Sequence, residues 1–313
     1  MKLLKKTPFI LTPKAPFNFD ATFHKPSHFP SSDCFWEKNK YWQTMLWKGE
    51  KLGLVFENKK PKIKLTIFYT KKPNISELVE EIKYRYNLDS DLSEFSKTFK
   101  KDELLEPIIR RWDGMRPVAA NSLYETLIIY IVLQNATVRR SVQMLENLFS
   151  KFGTKLVFDG KELSCFWDPK GISKATETSM RELKLGYRAK SVKIISDQFV
   201  NGKINELWLR KQTKETIKKE TLKLYGVGPA TVWYLLFEVF YFYDSFEHIS
   251  PWEQKIFSKL LFNKDLVPPE KILKEVERRW GEYKRLASHY LFEDLFWKRK
   301  SHKIDWLEKE IRL

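Results

Sequence analysis

The chain is predicted to be an α+β protein, with an N-terminal antiparallel β domain followed by two mainly helical lobes. Three observations predict this. Before about residue 70, apolar and polar residues alternate with the period of a sheet, as in Ile63, Leu65, Ile67 and Tyr69 against Lys62, Lys64, Thr66 and Phe68. From Ile75 onward the spacing changes, and Leu78, Val79, Ile82 and Tyr86 fall on one face of a helix. With 313 residues and 42% hydrophobic content, the chain has apolar side chains for more than one core.

Taken in order, Leu52–Phe56 and Ile63–Tyr69 read as strands joined by a turn at Asn58-Lys59-Lys60-Pro61, with one face of the sheet buried. Asn74 or Ser76 can cap the first helix. The remainder reads as almost wholly helical. Helices are predicted at about 93–101, 103–112, 122–133, 137–152, 173–184, 189–201, 205–212, 213–223, 230–243, 251–262, 269–280 and 283–298, and glycines mark many of the joints. The predicted division is a small β domain over 1–85, one helical lobe from 86–112 plus 263–313, and a second over 113–262.

Lys and Arg total 57 against 40 Asp and Glu, and the net charge of +17 makes a polyanion the default partner. Nucleic acid leads over an anionic membrane surface. The apolar runs Leu127–Leu133 and Val232–Tyr243 are too short to cross a bilayer, so no membrane association is expected. Cys34 and Cys165 are too few for a disulfide framework, a four-thiolate zinc site or an iron–sulfur cluster. Residues Met1–Pro8 lack the apolar stretch of a secretory signal. A reducing compartment is therefore expected: the cytoplasm and nucleoid, or the nucleus in a eukaryote. The five histidines are scattered, so neither a metal nor another cofactor is expected.

The segment Leu222-Lys223-Leu224-Tyr225-Gly226-Val227-Gly228-Pro229-Ala230-Thr231 places a two-glycine turn between a charged amphipathic helix and an apolar one. This is a helix-hairpin-helix signature, spanning about 213–243. Its glycines permit a tight turn and close approach, so that amides at the second helix's N-terminus, including Thr231, can meet a phosphate where the helix dipole favours an anion. An ordinary joint between two core helices uses the same residues. Further on, His248-Ile249-Ser250-Pro251-Trp252-Glu253 begins a new helix, with Ser250 and Glu253 spaced as a capping box.

This order of hairpin, apolar helix, loop and helix start resembles the helix-hairpin-helix (HhH-GPD) DNA glycosylase superfamily, most closely 3-methyladenine DNA glycosylase II and 8-oxoguanine DNA glycosylase. Other segments match in the same order. Asp113–Pro117 with Leu123–Ile128 is similar to the family's entry into its helical domain, and Arg279–Tyr283 to its C-terminal helices. The resemblance covers roughly Phe17 to Trp297. It implies base-excision repair of double-stranded DNA by a monomer that flips a damaged purine out of the helix. It also implies that Gln134 and Asn135, with Arg139 nearby, help fill the gap, and that Tyr187 or Arg188 acts as a wedge.

Two positions depart from the family. The family's catalytic Asp aligns with Ser250, whose hydroxyl cannot supply the negative charge that breaking an N-glycosidic bond calls for. The lysine nucleophile of bifunctional members aligns with Ala230, which makes lyase chemistry unexpected. Glu253 is the candidate substitute carboxylate, His248 a candidate acid or phosphate contact, and Trp233 and Trp252 candidate stacking walls for an electron-poor base. A catalytically impaired protein that binds distorted DNA is the rival expectation.

Overall fold

The computed structural model describes residues 1–310. Five strands, β1 (Lys5–Leu11), β2 (Cys34–Glu37), β3 (Lys40–Trp47), β4 (Glu50–Lys59) and β5 (Lys62–Tyr69), form one antiparallel sheet in the order β1-β5-β4-β3-β2. Helices α1 (Phe19–Phe23) and α2 (Ile75–Arg85) pack on one face. There Phe19, Phe23, Phe56, Leu65, Ile67, Leu78, Ile82 and Tyr86 share a core.

The opposite face is covered as well, contrary to the one-sided burial expected from the alternation. A two-stranded hairpin, β6 (Thr154–Phe158) and β7 (Lys161–Cys165), rises from the stretch read as wholly helical and lies on the sheet. Phe158 packs 5.6 Å from the ring of Phe68, and Leu156, Val55 and Trp42 complete this second layer. Gly53 makes the approach possible, since a Cβ there would stand 2.6 Å from the Phe158 ring. The polar-looking face of β5 is thus buried at Thr66 and Phe68 by residues remote in sequence.

The remaining helices are α3 (Ser93–Thr98), α4 (Glu106–Trp112), α5 (Leu123–Leu133), α6 (Val138–Phe152), α7 (Pro169–Ser173), α8 (Glu177–Met180), α9 (Arg188–Val200), α10 (Glu206–Leu209), α11 (Lys214–Thr221), α12 (Pro229–Glu238), α13 (Pro251–Phe262), α14 (Pro269–Trp280), α15 (Lys284–Ser301) and α16 (Asp305–Glu310). One core gathers Leu127, Leu145, Val192, Ile217, Val227 and Leu235 from α5, α6, α9, α11, the hairpin turn and α12. A second gathers Phe95, Ile109, Phe257, Ile272, Trp280 and Tyr290 from α3, α4 and α13–α15. Phe237 of α12 reaches this second core, so α12 borders both.

The predicted helix over 230–243 stops at Glu238. Tyr241 adopts a φ of +61°, outside the helical region, and its hydroxyl donates to the carbonyls of Tyr84 at 2.9 Å and Arg85 at 2.8 Å. The predicted helix over 173–184 is likewise divided between short turns, with Lys184 at a φ of +63°. Arg116, fully buried, ties the N-terminal segment to the helices by donating to the carbonyl of Pro16 at 3.0 Å and to those of Lys14 and Asn87. Further along the same segment, Ser27 Oγ donates to Glu293 Oε1 of α15.

Candidate nucleic-acid interface and base cavity

The turn between α11 and α12 lies at the surface, with Tyr225, Gly226 and Pro229 exposed. Gly226 has a φ of +79°, a conformation that favours glycine over any side-chain-bearing residue. Val227 points inward to the first core at 8% exposure, and its amide donates to the Leu224 carbonyl at 3.2 Å. Val227 is therefore an anchor of the turn, and its N–H is already engaged within it. The open donors come next. The first intrahelical bond of α12 runs from Val232 N–H to Gly228 C=O at 3.2 Å, so the amides of Ala230 and Thr231 have no acceptor in the helix. No side chain caps Gly228, and a Cβ there would meet nothing within 4 Å.

Distant residues converge beside this turn. Gln134, the C-cap of α5, donates from Nε2 to the Gly226 carbonyl at 3.0 Å. Asn135, exposed at a φ of +49°, donates from Nδ2 to the Tyr187 hydroxyl at 3.5 Å. Tyr187 is 53% exposed. Arg188 is not a wedge: at 3% exposure its guanidinium donates to the Gln134 carbonyl, from Nε at 3.1 Å, and packs 4.6 Å over the Tyr187 ring. It positions the neighbours that face solvent. Arg139 is exposed in the first turn of α6, adding positive charge near the same junction.

A cavity of about 190 Å³ opens where α12, α13 and α15 meet the N-terminal segment. Its walls include Ser27, Tyr234, Trp252, Arg285, His289 and Glu293, together with Ser250 and Glu253. At the start of α13 the capping box is complete: Ser250 Oγ accepts from Glu253 N–H at 3.2 Å, and Glu253 Oε2 accepts from Ser250 N–H at 3.1 Å. The Tyr234 hydroxyl also donates to Oε2, and Arg285 Nη1 donates to Oε1 at 3.4 Å. Burial, followed by the Glu253 charge, pushes the Tyr234 phenol well above its ordinary range and keeps it a donor. Glu253 is thus a buried carboxylate at the cavity wall with both oxygens engaged.

Of the other candidates, Trp252 lines the cavity, with edge contacts to Phe292 and Phe296. Trp233 does not: it packs against the first core with Lys218 4.7 Å over its ring. His248 is exposed and outside the cavity lining. The sequence reading missed the contribution of α15. Arg285, His289 and Glu293 recur at four-residue spacing among Leu and Phe, a polar stripe on one helical face, and that spacing was the available signal.

The profile described as the HhH-GPD superfamily base excision DNA repair protein matches residues 128–309. A DNA-3-methyladenine glycosylase of Bacillus subtilis is 25% identical over 221 residues, which span 70% of this chain and 73% of that protein. Among solved structures, the 3-methyladenine DNA glycosylase from Archaeoglobus fulgidus superposes with a TM-score of 0.75 at 17% identity, over 95% of this chain and 99% of the other. The 8-oxoguanine glycosylase/lyase of Clostridium acetobutylicum, in complex with double-stranded DNA containing cytosine opposite 8-oxoguanine, superposes with a TM-score of 0.67 at 21% identity, over 91% and 92%. The structural likenesses carry the fold, and the profile match covers more than half of the chain: this protein belongs to the HhH-GPD superfamily of base excision DNA repair proteins.

Proposed function

We propose that this chain is a monofunctional DNA N-glycosylase that flips a damaged purine, alkylated or oxidised, out of duplex DNA and hydrolyses its N-glycosidic bond. The observation that carries the reading is the uncapped start of α12, exposed beside Gln134, Asn135 and Tyr187. A DNA phosphate placed there meets the amides of Ala230 and Thr231 and the positive end of the helix dipole. Tyr187, Gln134 and Asn135 then stand where a protein fills the space left by an extruded nucleotide, and the base enters the cavity against Trp252.

Bond cleavage builds positive charge on the sugar while water attacks the anomeric carbon, and a carboxylate at the cavity wall stabilises that charge. Glu253 is the proposed source, with Ser250 in the position that resembles the family's Asp. Ala230, at the position that resembles the lysine of bifunctional members, leaves no amine there to form a Schiff base. The protein acts as a monomer on double-stranded DNA in the cytoplasm and nucleoid, or the nucleus, with no cofactor.

A second reading is favoured by one specific observation: all the acceptor bonds of Glu253 go to the α13 cap, Tyr234 and Arg285. On that reading the protein binds damaged or distorted DNA without excision. Purified protein is incubated with duplexes carrying alkylated, oxidised or deaminated bases, and abasic sites are then cut with alkali. Strand cutting on at least one lesion is expected. Binding without cutting on every lesion establishes the second reading instead.

A further inference from the structure

The two ends of the five-stranded sheet treat their lysines differently. Residues 1–72, through the end of β5, hold 15 Lys, no Arg and 5 Asp or Glu, so this stretch carries +10 of the overall +17. At the end where β2 stops and β5 begins, lysines meet carboxylates. Lys40 lies 2.9 Å from Asp159, Lys64 2.8 Å and Lys59 3.5 Å from Glu57, and Lys161 of β7 3.0 Å from Glu37. There the charge is answered locally.

At the other end it is not. Lys2 precedes β1, Lys5 and Lys6 begin it, Lys51 lies at the start of β4, and Lys71 and Lys72 follow β5; five are exposed and Lys51 is partly so. The register sets them side by side. Lys5 pairs with Tyr69, two residues before Lys71, and Gly53 pairs with Phe68, which brings Lys51 level with Thr70. Three adjacent strand ends thus carry lysines across roughly 10 Å, at a strand spacing of about 4.8 Å. None of the six is in an ion pair among the described residues. Of the carboxylates adjoining in sequence, Glu77 pairs with Lys48 and Glu50 is left. Guarding an edge strand against pairing with another chain explains lysines on β1, but not those on β4 and β5, which are inner strands.

This end lies away from the α11–α12 turn, with α5 between them. The C-cap Gln134 of α5 bonds to the Gly226 carbonyl. At the N-terminal end of α5, Glu125 lies 3.8 Å from Arg85 of α2 and lines a cavity with Leu46 of β3, two residues before Lys48. The 11 residues of α5 make it about 16 Å long.

We propose that the lysine-rich sheet end is a second duplex-binding surface, which grips the phosphate backbone of one DNA segment while the α11–α12 turn holds another. All six cations are lysines, point charges that meet phosphates without reading bases. A duplex offers about one negative charge per 1.7 Å of its axis, so several phosphates face a row of this width. Among the described residues no exposed aromatic stands with these lysines to stack the bases of a single strand, which favours the duplex. Membership of a DNA repair family makes DNA the polyanion at hand. The surface is independent of the base cavity, and holding two segments lets the protein pass between them without leaving DNA.

The test is a capture assay with the intact chain at low salt. A short undamaged duplex is immobilised, protein is bound to it, and a fluorescent copy of the duplex is added. Wild type is expected to retain the second duplex. A variant carrying Lys5→Gln, Lys6→Gln, Lys51→Gln and Lys71→Gln is expected to weaken that capture about tenfold, with a salt slope shallower by about 3 to 4, while affinity for the immobilised duplex changes less than about twofold. A comparison variant removes as many charges from the opposite end, by Lys40→Gln, Lys59→Gln, Lys64→Gln and Lys161→Gln, and is expected to keep the capture. No second duplex on wild type overturns the proposal, and so does capture that survives in the first variant. Equal loss in both variants overturns it as well, because net charge and not this surface then does the holding. Loss of both duplexes in a first variant that unfolds in urea like wild type overturns the two-surface arrangement. Retention of phosphatidylserine vesicles or of a single strand in place of the duplex overturns the choice of duplex DNA. Excision of damaged bases is measured alongside: its absence with capture intact removes the glycosylase reading alone.

Discussion

Helices α12 and α13 begin alike and present opposite chemistry to solvent. Each starts from an extended N-cap residue followed by proline, Gly228-Pro229 in one and Ser250-Pro251 in the other. At α13 the Ser250 hydroxyl and the Glu253 carboxylate occupy two of the first amides, and the carboxylate also offsets the helix dipole. At α12 no side chain does either. Two substitutions in kind, glycine for serine at the cap and threonine for glutamate three positions on, separate an end that can take an anion from one that is closed. The closed end is the one adjoining the cavity. Its glutamate is bound to the helix it caps, to Tyr234 and to Arg285, so any part it plays in chemistry is superimposed on a structural one.

The largest expected effect tests the closed end. Glu253→Ala leaves Arg285 buried without its carboxylate and opens the capping box, at a cost of about 3–5 kcal/mol in folding stability measured by urea unfolding. A loss under about 1 kcal/mol means that Glu253 is not a structural corner, and the contrast with α12 is then broken. The milder Glu253→Gln keeps the shape of the side chain. Its excision rate separates chemistry from capping: a rate equal to wild type leaves Glu253 as a cap alone.

The next effect tests the open end. Gly228 has an extended backbone and free space around it, so Gly228→Val is expected to fold normally and to obstruct the approach of a phosphate. Duplex affinity should fall about tenfold, roughly 1.4 kcal/mol, with a shallower salt dependence in a fluorescence-anisotropy titration. Unchanged affinity removes α12 from the interface. The smallest effect lies at the other cap. Ser250→Ala should cost about 1 kcal/mol, whereas Ser250→Asp should stay within a few tenths because both residues cap well. If the cap residue also faces the reacting sugar, Ser250→Asp raises the excision rate; no change places the chemistry elsewhere in the cavity.

Much of this architecture was legible from local pattern. The starts of α2, α5, α11, α13 and α14 carry cap residues or prolines at the predicted places, because capping involves residues within a few positions of one another. The β6–β7 hairpin was not legible. Five-residue strands provide too few positions to reveal a period, and their apolar face is explained only by the sheet they cover. The early end of α12 was hidden for a related reason: Val239–Tyr243 is as apolar as the helix before it, and it is bonds to α2, from Tyr241 and from the Tyr84 hydroxyl to the Val239 carbonyl, that hold the turned chain.

The candidate site divides in the same way. The hairpin turn, its glycines and the Ser250–Glu253 spacing are local features, and the sequence alone determined that a two-glycine turn and a capped helix follow one another in this order. Folding alone decided that Arg188 is buried beneath Gln134, that Tyr187 faces solvent beside Asn135, and that Glu253 shares a cavity with Ser27 and Glu293. The physical reason is range. Backbone geometry and capping are settled within a helical turn, but the burial of a charge and the direction of a side chain depend on neighbours far along the chain, 54 residues away for Arg188 and Gln134 and 266 for Ser27 and Glu293.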